Sequence, residues 1–255
     1  AIQFLVAQRQ LEQLDRGLIA IKTNGGVYLG WRITGHEWPE VAYNIYRNGT
    51  KITPEPWEGP SNYLDPAGAV GDSYSIAAII NGVEYPASTE KAVRSYNYLD
   101  IPISIPPGGT VPDGSYTYSA NDASAADLDG DGDMEIILKW DPSNSHDNAH
   151  EGYTGPVIID AYTLEGELLW RINLGRNIRA GAHYTQFMVG DFDGDGKAEM
   201  ACKTADGTVD ALGNIIGNPD ADYRGTDGRI LTGPEFLTVF NGETGAAMQT
   251  INYEP

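Results

Sequence analysis

Positive charge, cysteine and helical periodicity are all scarce in this chain. Lys and Arg number 16 against 36 Asp and Glu, for a formal net charge of −20. That balance argues against a nucleic-acid partner, because phosphate binding needs Lys and Arg. Cys202 is the sole cysteine, so no disulfide can form within the chain. It falls in an apolar run and reads as a small buried hydrophobe. Long apolar runs are missing. The start, Ala1-Ile2-Gln3-Phe4-Leu5-Val6-Ala7, is too short for a signal peptide or a membrane span, so no membrane partner is expected. Amphipathic helical spacing is nearly absent, whereas Gly (31) and Tyr (15) are plentiful. Together these features predict an all-β chain rich in turns. Its 255 residues leave room for one large or two ordinary domains.

What is abundant is a particular acidic loop, present twice. The first copy is Asp127-Leu128-Asp129-Gly130-Asp131-Gly132-Asp133-Met134-Glu135. The second is Asp191-Phe192-Asp193-Gly194-Asp195-Gly196-Lys197-Ala198-Glu199. Asp at the first, third and fifth places converges carboxylates on one point, and Gly at the sixth allows the sharp turn. The seventh residue offers a backbone carbonyl, so Asp133 and Lys197 are interchangeable there. The ligand set expected for Ca²⁺ is therefore Asp127, Asp129, Asp131, Asp133 and Glu135, with Asp191, Asp193, Asp195, Lys197 and Glu199 in the second loop. A pair of solvated acidic turns is the plainer alternative. These loops are not EF-hands. The twelfth place, which in an EF-hand holds a bidentate Glu, is Leu138 in one and Cys202 in the other. The flanks read as strands that begin where each loop ends. Ca²⁺ sites of modest affinity are filled outside the cytosol, which favours secretion.

The chain divides near residue 106. Residues 1–106 alternate short strands with turn signals, including Asn48-Gly49 and Asn81-Gly82, and suggest a small β-sandwich. Tyr43-Asn44-Ile45-Tyr46-Arg47-Asn48-Gly49 and Tyr74-Ser75-Ile76-Ala77-Ala78-Ile79 resemble a fibronectin type III-like module. Residues 107–255 contain an internal repeat. Each unit has an acidic loop, a strand, a connection ending in Gly-Pro (Gly155-Pro156, Gly233-Pro234) and further strands. A unit of that size fits a four-stranded propeller blade. The second unit carries an insertion near Asp206 to Thr232. Propellers close with about four to eight blades, and this stretch holds little more than two, so the remaining blades are expected on a further part of a longer chain.

Longer runs are more specific. Leu14-Asp15-Arg16-Gly17-Leu18-Ile19-Ala20 is one. Asn121-Asp122-Ala123-Ser124 and Lys139-Trp140-Asp141-Pro142-Ser143-Asn144 are others. They are joined by Trp170 to Phe187, with its Arg179-Ala180-Gly181-Ala182-His183-Tyr184 centre, and by Lys203 to Asp210. Together they resemble the rhamnogalacturonan lyases of polysaccharide lyase family 11. The resemblance implies an N-terminal β-sheet module followed by an eight-bladed, Ca²⁺-binding propeller, incomplete here. It implies β-elimination in the rhamnose–galacturonate backbone of rhamnogalacturonan I, an acidic pectic polysaccharide, and several Ca²⁺ ions. It also places Asn121 and Asp141 on the substrate cleft. An Asx-turn and a strand-ending turn are their structural alternatives. The general base is expected outside this chain.

Other residues carry weaker signals. Lys139, Arg171, Arg176, Arg179, Lys203, Arg224 and Arg229 bunch among the blade segments, where cations can meet an acidic polymer. Arg176 and Arg179 can grip a uronate carboxylate, hold blade carbonyls or pair with the acidic loops. His146, Asp147, His150 and Glu151 have the makings of a metal cluster or of a solvated loop. His183 is read as a hydrogen-bonded core residue, and Trp31, Trp38, Trp57 and Trp140 as buried rather than sugar-stacking. Asp206, Asp210, Asp220 and Asp222 form a second-rank candidate for a further Ca²⁺ site. A competing functional reading is a non-catalytic Ca²⁺-stabilised propeller that binds glycan or protein.

Overall fold

The protein is described by a computed structural model over residues 14–35, 37, 41–181 and 184–253, and every regular element there is a strand. The segment Ala1 to Ala7, Trp38 and His183 lie outside the described residues. The described residues divide into two compact units, one over Leu14–Asp100 and one from Ile101 onward.

The first unit contains β1 (Ile19–Thr23), β2 (Gly26–Gly30), β3 (Val41–Arg47), β4 (Thr50–Lys51), β5 (Asn62–Asp65), β6 (Ser73–Ile80), β7 (Val83–Glu84) and β8 (Lys91–Ala92). One sheet runs β1-β2-β5, and the other runs β4-β3-β6-β7 with β8 also on β6. The β3–β4 and β6–β7 hairpins turn on Asn48-Gly49 and Asn81-Gly82. All four residues have positive φ, the requirement that makes Asn-Gly the favoured pair in tight hairpins. Both sheets feed one apolar core, with Val27 and Leu29 from the first and Tyr43, Ile45, Tyr74 and Ile76 from the second. Trp31 joins it edge-on to Tyr43, at a ring separation of 5.1 Å. Asp65 on β5 ties the sheets together, accepting from Arg47 at 2.7 Å and from the Tyr74 hydroxyl at 2.8 Å.

The second unit opens with a hairpin, β9 (Gly109–Val111) and β10 (Gly114–Tyr116). Four strands then pair in chain order: β11 (Tyr118–Ala126), β12 (Glu135–Pro142), β13 (Ile158–Tyr162) and β14 (Leu168–Asn173). The pattern repeats with β15 (Phe187–Gly190) and β16 (Glu199–Ala205). It is interrupted by the insertion, which forms β17 (Thr208–Val209) and β18 (Ile215–Ile216), and is completed by β19 (Glu235–Phe240) and β20 (Ala247–Asn252). The inserted hairpin does not join its own sheet. It attaches to β14, with Asn173 opposite Val209, and extends the first sheet to six strands.

Apolar alternation explains how the two sheets pack. Ile137, Ile159, Ala161 and Ile172 of the first share a core with Met200, Cys202 and Phe240 of the second. Burial pushes the Cys202 thiol up to about 12, so it stays protonated and inert. The opposite face of the first sheet gathers Tyr118, Leu138, Trp140, Ile158 and Tyr162. Asp160, fully buried, lies beside this group. It accepts from Trp140 Nε1 (2.8 Å) and the Tyr162 hydroxyl (2.6 Å). Arg171 clamps it with two nitrogens, at 2.8 and 2.7 Å, and also donates to the Ser104 carbonyl. Arg171 is thereby a structural cation.

Because the strands alternate in direction, the two acidic loops fall at one end of the sheets. Residues 143–157, 174–186 and the insertion fall at the other. Ala198 N donates to Asp127 O at 2.8 Å and joins the acidic loops. Asn177 Nδ2, bonded to the carbonyls of Asp206 and Ala221, joins the opposite set. Removing Asp160 would strand three donors, one of them charged. We expect Asp160→Ala to lower stability by about 3–5 kcal/mol, read from the urea unfolding midpoint; a loss under about 1 kcal/mol would contradict this account.

Candidate functional site

The acidic loops fold around their own backbone. Asp127, fully buried, accepts Gly130 N on Oδ1 (2.7 Å) and Gly132 N on Oδ2 (3.0 Å). Asp129 and Asp131 each accept the amide two residues on, at 3.1 and 2.8 Å. Glu135 at the start of β12 reaches back to Leu128 N at 2.8 Å. The second loop repeats the pattern: Asp191 takes Gly194 N and Gly196 N, Asp193 takes Asp195 N, Asp195 takes Lys197 N, and Glu199 takes Phe192 N. Gly132 and Gly196 sit at φ 94° and 95°, a backbone conformation that side chains resist.

The carboxylate oxygens of Asp127, Asp129 and Glu135 lie within 4.8 Å of one another, as do those of Asp191, Asp193 and Glu199. Asp131 and Asp195 belong to the loops but not to these groups of three. Asp133 and Lys197 supply backbone to the turn. The Lys197 ammonium points away from its loop, to Glu243 at 2.6 Å. Burial, then repulsion from Asp129, Asp131 and Asp127, pushes the Glu135 carboxyl up to about 7. Glu199 is raised for the same reasons. An all-oxygen set with no cationic side chain inside it, and a buried carboxylate pressed by its neighbours, fits a hard divalent cation such as Ca²⁺.

The other candidates lie away from these loops. Asp141 is six residues along β12 from Glu135, about 20 Å of strand. Its Oδ2 accepts the Ser145 hydroxyl at 2.6 Å. Asn121 is exposed on β11, the edge strand of its sheet. The β11–β12 register breaks between Ala120 and Ala123, so Asn121 and Asp122 together stand opposite Lys139 alone. Lys139 is 2% exposed, and its Nζ meets Asp122 Oδ2 at 2.7 Å. Lys139 and Asp141, two apart on one strand, share a face. Asn121, Asp122 and Lys139 thus meet on the first two strands, while Asp141 shares the strand face of Lys139 and is bonded by Ser145 from the loop after β12. Asp122 and Ser145 were not singled out from sequence. A bulge leaves no mark in a strand of small polar residues, and a serine four places past Asp141 looks like loop.

Arg179 turns out to be a scaffold. It is 5% exposed and donates to the carbonyls of His146, Asp147, Gly152, Gly228 and His150. It therefore fixes the loop that carries His146 and His150, and no uronate can reach it. Arg176 is half exposed, 3.8 Å from Asp222. Lys203 pairs with Glu235 at 2.8 Å. Trp31 and Trp140 are buried, and Trp57 packs against the first core. Three of the four insertion aspartates are engaged with protein donors. Asp206 holds Tyr223 and Asn218, Asp210 caps residues 212–214 and Ala247, and Asp222 binds Arg224. Among the described residues, the converging carboxylate groups are the two loops and not the insertion.

Calcium titration tests the loops directly. We expect two sites within this chain by calorimetry, reduced to one by Asp127→Ala or by Asp191→Ala. At a free Ca²⁺ concentration of 100 times the Kd, each site should add about 2.7 kcal/mol of stability, which EDTA removes. An unchanged stoichiometry in both variants would sink the assignment.

The rhamnogalacturonan lyase family 11 C-terminal domain matches residues 98–255, more than half of the chain. The rhamnogalacturonan I lyase beta-sheet domain matches residues 9–94. The chain is 58% identical to the Bacillus subtilis rhamnogalacturonan endolyase YesW over 250 residues, which is 98% of this chain and 40% of that protein. It is also 58% identical to the exolyase YesX of the same organism over 249 residues, covering 97% and 41%. The crystal structure of YesW superposes with a TM-score of 0.91 over 97% of this chain and 42% of that one. The Bacillus licheniformis rhamnogalacturonan lyase does so with 0.90, at 59% identity, over 97% and 42%. The chain spans about two-fifths of the length of these relatives. By the match over both of its units, this chain belongs to rhamnogalacturonan lyase family 11.

Proposed function

We propose that this chain is part of a secreted, Ca²⁺-dependent rhamnogalacturonan lyase that cleaves the rhamnose–galacturonate backbone of rhamnogalacturonan I by β-elimination. The observation that carries this reading is 58% identity, over nearly the whole chain, to two relatives named for that polymer. In such a reaction a base removes the C5 proton of a galacturonate, the bond to the O4 rhamnose breaks, and an unsaturated uronate remains. The C5 proton is barely acidic while the adjacent carboxylate is anionic, so donors aimed at that carboxylate lower the barrier. We assign one of them to Asn121, whose side chain is exposed. Asp141, held by Ser145, is placed to accept a sugar hydroxyl. The base itself we assign to the part of the enzyme beyond this chain.

The architecture follows the same reading. Two meanders of like strand order, each with an acidic loop between its first and second strands, are read as successive propeller blades, with further blades supplied by the rest of the enzyme. The unit over Leu14–Asp100 is read as a fibronectin III-like sandwich, since two antiparallel sheets share its core. Ca²⁺, when bound, offsets part of the charge of the acidic loops and locks them to β12 and β16. About 20 Å of strand separates the first loop from Asp141, so this is a stabilising role.

The decisive assay uses a polypeptide carrying this chain at the full length of its relatives. Ultraviolet absorbance of the conjugated uronate should rise on rhamnogalacturonan I and stop rising after EDTA. A folded, Ca²⁺-loaded protein that binds the polymer without releasing that chromophore would instead support a non-catalytic glycan-binding propeller.

A further inference from the structure

The bulge in β11 places two residues against one lysine, and three polar groups there form a single chain of bonds. The Lys139 ammonium, 2% exposed, donates to Asp122 Oδ2 at 2.7 Å. The Asp122 backbone N–H donates to Asn121 Oδ1 at 2.8 Å. Asn121 Nδ2 has no hydrogen-bond partner among the described residues, and its side chain is exposed. With Oδ1 held, the amide has one orientation, and both Nδ2 hydrogens face solvent. Asp122 is 58% exposed, so burial does not hold it in place; the ammonium does.

We propose that Lys139 and Asp122 are positioning residues, which act through Asn121 by fixing the bulge that aims its amide at the substrate. The argument rests on the reading of Asn121 as a substrate contact. A buried lysine in mid-strand is otherwise hard to justify, since an apolar residue opposite Ile159 would cost nothing in desolvation. Its use is to hold two residues of the edge strand in a non-strand conformation. Without it, β11 can relax toward regular pairing, and a one-residue slip turns Asn121 to the other face. The side chain that faces substrate would then be Asp122, whose charge repels a uronate.

A double-mutant cycle on the full-length enzyme separates positioning from mere folding. Asn121→Ala, Asp122→Ala and the pair are assayed on rhamnogalacturonan I at a temperature where circular dichroism shows each variant folded. If Asp122→Ala does not fold, Asp122→Asn, which keeps its shape and weakens the ammonium contact, takes its place. Asp122→Ala is expected to lower kcat/KM roughly ten- to a hundredfold, and to cost nothing more in the Asn121→Ala background. Full activity in Asp122→Ala, or losses that multiply in the double variant, would overturn the positioning role and leave the site reading intact. Full activity in Asn121→Ala would overturn the site reading, and this inference with it.

Discussion

Crowded carboxylates at one end of the second unit set the terms for much of its structure. Asp127, Asp129 and Glu135 converge within 4.8 Å, with Glu135 pushed up to about 7 by burial and by its neighbours. Like charges so close repel strongly unless a cation or protons intervene. The loop answers part of that cost by turning its amides inward, so that Asp127 alone accepts two of them. The same turn ends at the first residue of β12, as its copy ends at the first residue of β16. Electrostatics and strand initiation are therefore one event here. The Ala198 amide, bonded to the Asp127 carbonyl, carries the constraint from one repeat to the next.

The two ends of the sheets divide the labour. The acidic end holds the repeats together through charge and backbone. The opposite end carries the longer loops, and cationic side chains there and within the strands are consumed by structure. Arg179 serves five carbonyls, and Arg171 clamps Asp160 and Ser104. A list of basic residues near a presumed acidic substrate thus overstates the cations available to it. Lys139 is more deeply buried than Arg171, but its partner Asp122 reaches solvent, so its effect can pass to the surface.

Much of this was legible in the chain before any coordinates. The acidic loops, the Asn-Gly hairpins and the all-β character follow from local rules in which a few neighbouring residues decide the conformation. Asn48-Gly49 needs no knowledge of the rest of the protein to turn. The role of Arg179 was legible only as one of several alternatives, because its acceptors are backbone carbonyls, which every residue carries. The Asn121-Asp122 bulge was hidden too. The residue opposite it, Lys139, is 17 positions away from Asp122, and only the ladder register brings them together. The insertion aspartates misled for a related reason. Their spacing suggests a cage, whereas among the described residues the carboxylates that converge in threes are those of the two loops.

The hairpin of β17 and β18 leaves its own repeat to pair with β14 of the preceding one. Repeat proteins are commonly treated as rows of units that contact only their neighbours and form in any order. Here the first sheet cannot be completed until the chain has been made through Ile216, well inside the second repeat. A ribosome-bound chain ending between the repeats would present β14 as an open edge, available to another nascent strand. The Asn173–Val209 pair thus makes the last strands of the first sheet wait on residues of the second repeat.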